Sequence, residues 1–311
     1  MRVCVVIATL NRSDDLRRML ASLVVQSCLP AQVVVVDQSD DRRTENVFNE
    51  FALNSPAIQW NYVKSSEKSL VKARNLGLSY AKEDIVSFFD DDVDLEPLYL
   101  AEIVACFERK PEVAGLSGNT TNIVEPSGLK WSIRKFMLRF FLINQLNGKL
   151  TPSGLGTPIC HKVIDSISIV EMLAGCNMNY RRASLEGERF DEWFQGYSFR
   201  EDAEFSYRIS KKGTLLMLPS AKLKHYYSPA NRLRIGSLKE MEVRNYHYVF
   251  KKLVRRGFMD DVAFVYSMSG FLLIYLTEAL TNRDGTKWSQ LAGFWNGFRR
   301  MLFRGSQALH G

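Results

Sequence analysis

Short runs rich in β-branched and aromatic residues alternate along the first third of the chain with longer stretches where Leu and Phe recur at helical spacing. Residues 3–8, 33–36, 58–63 and 85–89 are the short runs, and each predicts a strand, buried for 33–36 and 85–89 and covered on both faces for 3–8. Leu16, Leu20 and Leu23 predict a helix capped by Ser13 or Asp14 and closed by Pro30. Further helices are expected over 42–51, from Ser69 onward, and from Pro97 to Phe107. Strand, helix and strand with short returns means parallel strands and right-handed crossovers. The pattern therefore predicts an α/β chain with a doubly wound, nucleotide-binding sheet.

From Glu125 to Ser168 the rhythm loosens. Residues 131–143 set Arg134, Lys135 and Arg139 among Phe136, Leu138, Phe140 and Phe141. This basic, apolar helix suits a membrane surface or a core with a cationic rim. Residues 172–182 read as a strand, with Gly175 where something approaches the backbone closely. Phe205 and Ile209 share a helix face behind Glu201-Asp202, and 215–218 is a further strand that leads to His225. A basic amphipathic helix is expected over 240–256. The uncharged run 262–277 falls short of the ~20 residues of a comfortable span. With Arg255, Arg256, Arg299, Arg300 and Arg304 around it, this run predicts an interfacial or buried hairpin. The expected domains are 1–230, with halves 1–115 and 116–230, and a helical extension over 231–311.

Composition narrows the class. Hydrophobic residues make up 46% and charged residues 24%, which are globular values. A net charge of +7 permits a nucleotide, an anionic lipid surface or nucleic acid without choosing among them. The five cysteines are scattered and form no C-x-x-C pair, which argues for buried thiols in a reducing compartment. The apolar start is too short for a signal peptide and reads as a first strand.

The chemistry centres on Asp90-Asp91-Asp92, with Asp94 beyond, at the end of the fourth apolar run. Stacked carboxylates repel one another and resist burial unless a positive partner neutralises them. A hard divalent cation shared with a bound phosphate does this well, and strand C-termini are where such sheets bind ligands. A solvated acidic turn is the alternative. Lys72 and Arg74 near a helix start oppose its dipole, which suits a nearby anion. Glu201-Asp202 at a helix start is either a cap or a working carboxylate pair. Neither G-x-G-x-x-G nor G-x-x-x-x-G-K-[ST] is present, so dinucleotide and P-loop fingerprints are excluded.

Six segments in order then resemble family 2 of the inverting glycosyltransferases, which have the GT-A fold. They are Val5-Val6-Ile7-Ala8-Thr9-Leu10-Asn11-Arg12, the second strand ending in Asp37, Lys72-Ala73-Arg74-Asn75-Leu76-Gly77, Asp90-Asp91-Asp92, Gly175-Cys176-Asn177-Met178 and Glu201-Asp202. The helical tail resembles that of bacterial surface-polysaccharide transferases. The resemblance implies a mixed GT-A sheet with a C-terminal helical appendage. It implies that Thr9, Asn11, Arg12, Asp37 and Asp91 hold the nucleotide, with Lys72 and Arg74 near the diphosphate. Asp90 and Asp92 would flank Mg²⁺ or Mn²⁺, with His225 as a further ligand. Gly175, Cys176 and Asn177 would face the acceptor. Asp202 would be the general base of an inverting displacement, with Glu201 able to exchange roles. The implied donor is a nucleoside-diphosphate hexose or deoxyhexose. The implied acceptor is a glycan or lipid-linked glycan, met by a peripheral protein on the cytoplasmic membrane face, with no role for nucleic acid.

Rival readings fit less well. A nucleotidylyltransferase needs a Gly-rich loop after strand one, and Ala8-Thr9-Leu10-Asn11-Arg12 has no Gly. A receiver-type phospho-signalling domain does not need the further 200 or so residues. A non-catalytic membrane-surface scaffold would not need Asp90, Asp92 and Asp202 together. A nucleic-acid binder would concentrate the positive charge that is here spread out.

Overall fold

A computed structural model of the chain describes residues 1–229, 233–281 and 285–303. Two compact units divide it: Met1–Glu125 with Pro158–Asn231, and Pro126–Thr157 with Arg232–Gly311.

The first unit holds strands β1 (Val3–Thr9), β2 (Gln32–Asp37), β3 (Gln59–Lys64), β4 (Ile85–Asp90), β5 (Val93–Leu95), β6 (Val113–Thr120), β7 (Ser168–Val170), β8 (Asn177–Arg181) and β9 (Thr214–His225). They form one mixed sheet in the order β3-β2-β1-β4-β8-β6-β9-β5, with β7 also on β9. The first four strands are parallel, β8 runs antiparallel between β4 and β6, and β6 and β9 are parallel to each other. The doubly wound mixed sheet expected from the sequence is what forms.

Helices α1 (Ser13–Val24), α2 (Arg43–Asn54), α3 (Leu70–Tyr80) and α4 (Tyr99–Arg109) cross over between the strands. Leu16, Met19, Leu20 and Leu23 of α1 are buried with Val5, Ile7, Val33 and Val35 in one core. On the opposite face α3 lies very close to β1, because a Cβ on Gly77 would sit 2.3 Å from Val6 Cγ1. Ala at this position would push the helix off the sheet and move everything α3 carries.

Local details differ from the sequence reading. Arg12, not Ser13 or Asp14, occupies the N-cap of α1, and it makes no side-chain cap bond there. Only 177–181 of the expected strand 172–182 pairs, with Gly175 in the turn before it. The expected strand 215–218 runs on to His225, carrying Pro219 past an irregularity in the ladder to β6.

The second unit is helical: α5 (Gly128–Phe140), α7 (Ile235–Val249) with a π-helical turn Phe250–Val254, α8 (Phe258–Thr281) and α9 (Gly285–Phe303), while α6 (Glu201–Ile209) belongs to the first unit. The hairpin expected over 262–277 is instead part of one continuous helix, α8. Its midpoint residue Gly270 provides no turn and packs on Phe141, whose ring a Cβ would strike at 2.3 Å. Helix α8 is long and apolar enough to cross a membrane, with 44% of that window buried inside the protein. Arg304 of the expected basic flank lies outside the described residues.

Candidate active site

The parallel register sets Thr9 beside Asp37 and Ala8 beside Asp90, so β1, β2 and β4 end together at one edge. Asn11, at φ 53°, turns the loop after β1 toward the loop after β2. Its N–H donates to Ser39 Oγ at 2.7 Å, and its side-chain amide exchanges bonds with Asp40 at 3.1 and 2.9 Å.

Asp37 accepts from the Ser39 N–H at 2.8 Å, Tyr62 Oη at 2.6 Å and Lys64 Nζ at 2.9 Å. Burial alone would raise this carboxylate, but the bonds from Ser39, Tyr62 and Lys64 hold it below its usual range. Asp91 turns inward. Thr9 Oγ1 donates to it at 2.7 Å and Arg12 Nη1 at 3.2 Å. Burial, only partly offset by Arg12 and Thr9, pushes Asp91 up to about 7.

Asp90 and Asp92 flank it differently. Asp92 is buried, with Oδ1 3.0 Å from His225 Nε2 and Oδ2 accepting the Ser228 N–H at 2.8 Å. Burial opposes its ionisation, but His225 and the Ser228 N–H outweigh it and keep the carboxylate below its usual range. Burial would lower His225, yet the Cys176 thiol and Asp92 raise it to about 11. Tyr227, at φ 51°, lies tilted against the His225 ring with centroids 3.9 Å apart. Asp90 is one-third exposed. One donor atom from each of Asp90, Asp92 and His225 falls within 4.8 Å of the others. Two carboxylates and an imidazole gathered this closely suit a divalent cation such as Mn²⁺.

A second cluster adjoins the first through Arg74. This guanidinium is 3% exposed, and three acceptors share it. They are Asp90 Oδ1 at 3.0 Å, Glu201 Oε1 at 2.9 Å and the Gly175 carbonyl at 2.9 Å. The Gly175 N–H in turn donates to Asp202 Oδ2 at 2.9 Å. A Cβ at Gly175 would lie 3.3 Å from both Arg74 Nη2 and Asp202 Oδ2, so any larger residue crowds the pair. Burial, then the neighbouring Asp202, pushes Glu201 up to about 8 against the pull of Arg74. The chain enters α6 through Ser198 at φ 50° and Arg200 at φ 82°, left-handed conformations that cost energy in non-glycine residues and tend to gather at working sites. Asn75 braces the same region, exchanging two bonds with the Phe190 backbone at 2.9 and 2.8 Å.

A sequence model of glycosyl transferase family 2 matches residues 4–161, half of the chain. The chain belongs to glycosyl transferase family 2. It is 23% identical over 251 residues to chondroitin synthase of Escherichia coli, covering 73% of this chain and 35% of that protein. It is 22% identical over 121 residues to a glucosyl-dolichyl phosphate glucuronosyltransferase of Haloferax volcanii, covering 38% of each. The chain thus spans little more than a third of the length of these curated relatives. Among solved structures, a mannosyltransferase from Pyrobaculum calidifontis in complex with GDP-Man and Mn²⁺ shares the fold, at a TM-score of 0.61 and 17% identity, over 98% of this chain and 88% of that one. The fold is GT-A.

Within this family 2 chain the residues singled out from the sequence fall into distinct groups. Asp90, Asp92 and His225 come together, and Asp202, Glu201 and Gly175 come together beside them. Thr9, Arg12, Asp37 and Asp91 reach the same edge with their polar groups engaged by protein partners. Lys72 pairs with Glu67 on a half-exposed face of α3. Asn177 is buried, binding Tyr99 and the backbone of Gly118, and so ties β8 to β6 and α4. Cys176 is buried beside His225. The sequence reading missed Tyr62, Lys64, Tyr227 and Ser228, and quoted Asn75 within a motif without giving it a role. Lys64 had a signal, since it ends β3 in direct register with Asp37. Tyr227 and Ser228 had none, because only the return of β9 brings them to Asp92.

Proposed function

We propose that this family 2 chain transfers a sugar from a nucleoside-diphosphate sugar to an acceptor hydroxyl with inversion at the anomeric carbon. The supporting observation is the adjacency of two clusters: Asp90, Asp92 and His225 on one side of Arg74, and Glu201 and Asp202 on the other. Asp90, Asp92 and His225 would hold a divalent cation, which when bound offsets the charge that develops on the leaving diphosphate. The ends of β1 and β2, with Thr9, Asn11, Arg12 and Asp37, form the floor on which the nucleotide rests. Asp202 is the general base. The Gly175 N–H fixes one of its oxygens, and the carboxylate takes the proton of the acceptor hydroxyl as that oxygen attacks from the face opposite the diphosphate. Glu201, raised by burial, is the poorer base at neutral pH and serves to hold Arg74. The names of the two curated relatives, one acting on a dolichyl phosphate and one making a polysaccharide, support a glycan or lipid-linked glycan acceptor.

A thermal-shift panel of UDP, dTDP, GDP, CDP and CMP, each with and without Mn²⁺, tests the donor half. A nucleotide at about 100 times its Kd stabilises by about 2.7 kcal/mol. One nucleoside diphosphate should stabilise only with Mn²⁺, and Asp92→Ala should abolish the shift. Asp202→Asn should keep that shift and lose turnover by about 10²–10⁴. No stabilisation by any nucleotide in the wild-type chain would overturn the reading.

A further inference from the structure

Helix α5 turns large apolar side chains into solvent along one row. Leu129 is 76% exposed, Ile133 52%, Phe136 66% and Phe140 56%. Their spacing of four, three and four residues places all four on a single helix face. The opposite face is satisfied inside the second unit. Leu138 is buried, Phe141 meets Tyr266 at 5.1 Å, and Arg134 pairs with Glu278. The outward row is therefore not the core-facing side of the helix. Phe136 and Phe140 stack at 5.7 Å and, with Ser132, Lys135 and Arg139, line an open groove of about 550 Å³.

Charge identifies what this row meets. Between Glu125 and Asp165 the chain has no Asp or Glu, while Lys130, Arg134, Lys135 and Arg139 all lie on α5. Lys135 and Arg139 flank one edge of the apolar row and Lys130 the other. A protein partner of mixed charge would want carboxylates somewhere on this face. An anionic bilayer does not: apolar side chains enter the headgroup boundary and cations stay at the lipid phosphates. We infer that the Leu129/Ile133/Phe136/Phe140 face of α5 is a docking surface for an anionic phospholipid bilayer, lying in the interface and not crossing it. Helix α8 does not have to span for this to hold. Phe264, Met268, Phe271 and Tyr275 are buried on it, so much of its apolar surface is already covered by the protein. This inference goes beyond the catalytic reading and stands without it.

The test is co-sedimentation of the full chain with vesicles of phosphatidylcholine alone and of phosphatidylcholine and phosphatidylglycerol in equal parts. Wild type should sediment with the mixed vesicles, and high salt should weaken the binding. Phe136→Glu/Phe140→Glu should weaken it about tenfold or more, because two apolar contacts become two repelled charges. Leu53→Glu, on the exposed side of α2, should change nothing. Circular dichroism melts confirm that the double variant is folded. Failure of wild type to bind the mixed vesicles overturns the inference and leaves the nucleotide test untouched. A concentration-dependent dimer that Phe136→Glu/Phe140→Glu disperses, without vesicle binding, overturns it in favour of a second copy. Bound chain that alkaline carbonate fails to release overturns the interfacial mode in favour of a spanning α8.

Discussion

Two buried carboxylates in the first unit face a basic residue and end in opposite states. Asp37, at the end of β2, sits under Lys64 and is held ionised. Glu201, at the start of α6, sits against Arg74 and is pushed up to about 8. The nearby positive charge does not decide the outcome. Asp37 receives three donors, from Ser39, Tyr62 and Lys64. Glu201 receives Arg74 on Oε1 only; Oε2 is buried with no partner among the described residues, and Asp202 adds repulsion. Arg74 is also divided among three acceptors. The β2 end is a finished piece of architecture, whereas the α6 start is under-satisfied, as befits a place where an acceptor and a reacting group have to fit.

The sharpest way to break this contrast is Arg74→Ala. It strips the shared cation from Glu201 and Asp90 and leaves the Gly175 carbonyl without its donor. A hydrogen bond from a charged group is worth about 1.5–3 kcal/mol, and Arg74 makes three. Urea unfolding should show a loss of that order. Arg74→Lys, a point charge without the planar fork, should recover only part of it. If Arg74→Ala proves as mild as a surface substitution, Arg74 does not join the two clusters.

Asp37→Asn should cost less, about 1.5–3 kcal/mol, the range for hydrogen bonds to a charged group. The amide keeps the shape and loses the charge that Lys64 answers. Because the folded pKa of Asp37 lies below the unfolded value of 3.8, its contribution is present above that pH and disappears as pH falls through the folded value. Acid unfolding curves should therefore differ between wild type and Asp37→Asn mainly above pH 4 and converge below it. A constant gap down to strong acid would mean that Asp37 acts through packing alone.

The strands of this contrast were legible in the sequence, and their partners were not. β1, β2 and β4 could be read to within a residue at each end because they are buried and almost wholly apolar, and half-exposed β3 because Trp60, Tyr62 and Val63 favour a strand. β6 was missed because Val113-Ala114-Gly115-Leu116-Ser117-Gly118-Asn119-Thr120 reads as loop. Its glycines are there for contact: a Cβ at Gly115 would strike Tyr180 at 2.7 Å, and one at Gly118 would strike Tyr99 at 2.4 Å. The acidic cluster at Asp90 announced itself because a hydrophobic strand ending in carboxylates is costly without a partner. That Arg74 would answer Glu201, 127 residues away, is a matter of tertiary folding that no local pattern encodes. Lys72 and Arg74 near a helix start suggested a nearby phosphate; in the fold Lys72 pairs with Glu67, and Arg74 with Asp90 and Glu201.

Glu201→Gln gives the finest test, because it is read as a slope against pH and not as a single loss. In wild type the folded state holds a proton on Glu201 up to about pH 8, while the unfolded chain releases it near 4.5. Between these values the folded state binds more protons, so stability falls as pH rises through the window. This is the opposite sign to Asp37, whose contribution is lost toward acid. Glutamine is a permanent mimic of the protonated form. It should flatten the decline from about pH 5 to 8 while leaving stability near pH 4 almost unchanged. Chemical denaturation of wild type and Glu201→Gln at half-unit pH steps reads the difference directly. Parallel curves across the window would mean that Glu201 is ionised in the folded protein, paired with Arg74 as firmly as Asp37 is with Lys64, and the two regions would then be alike.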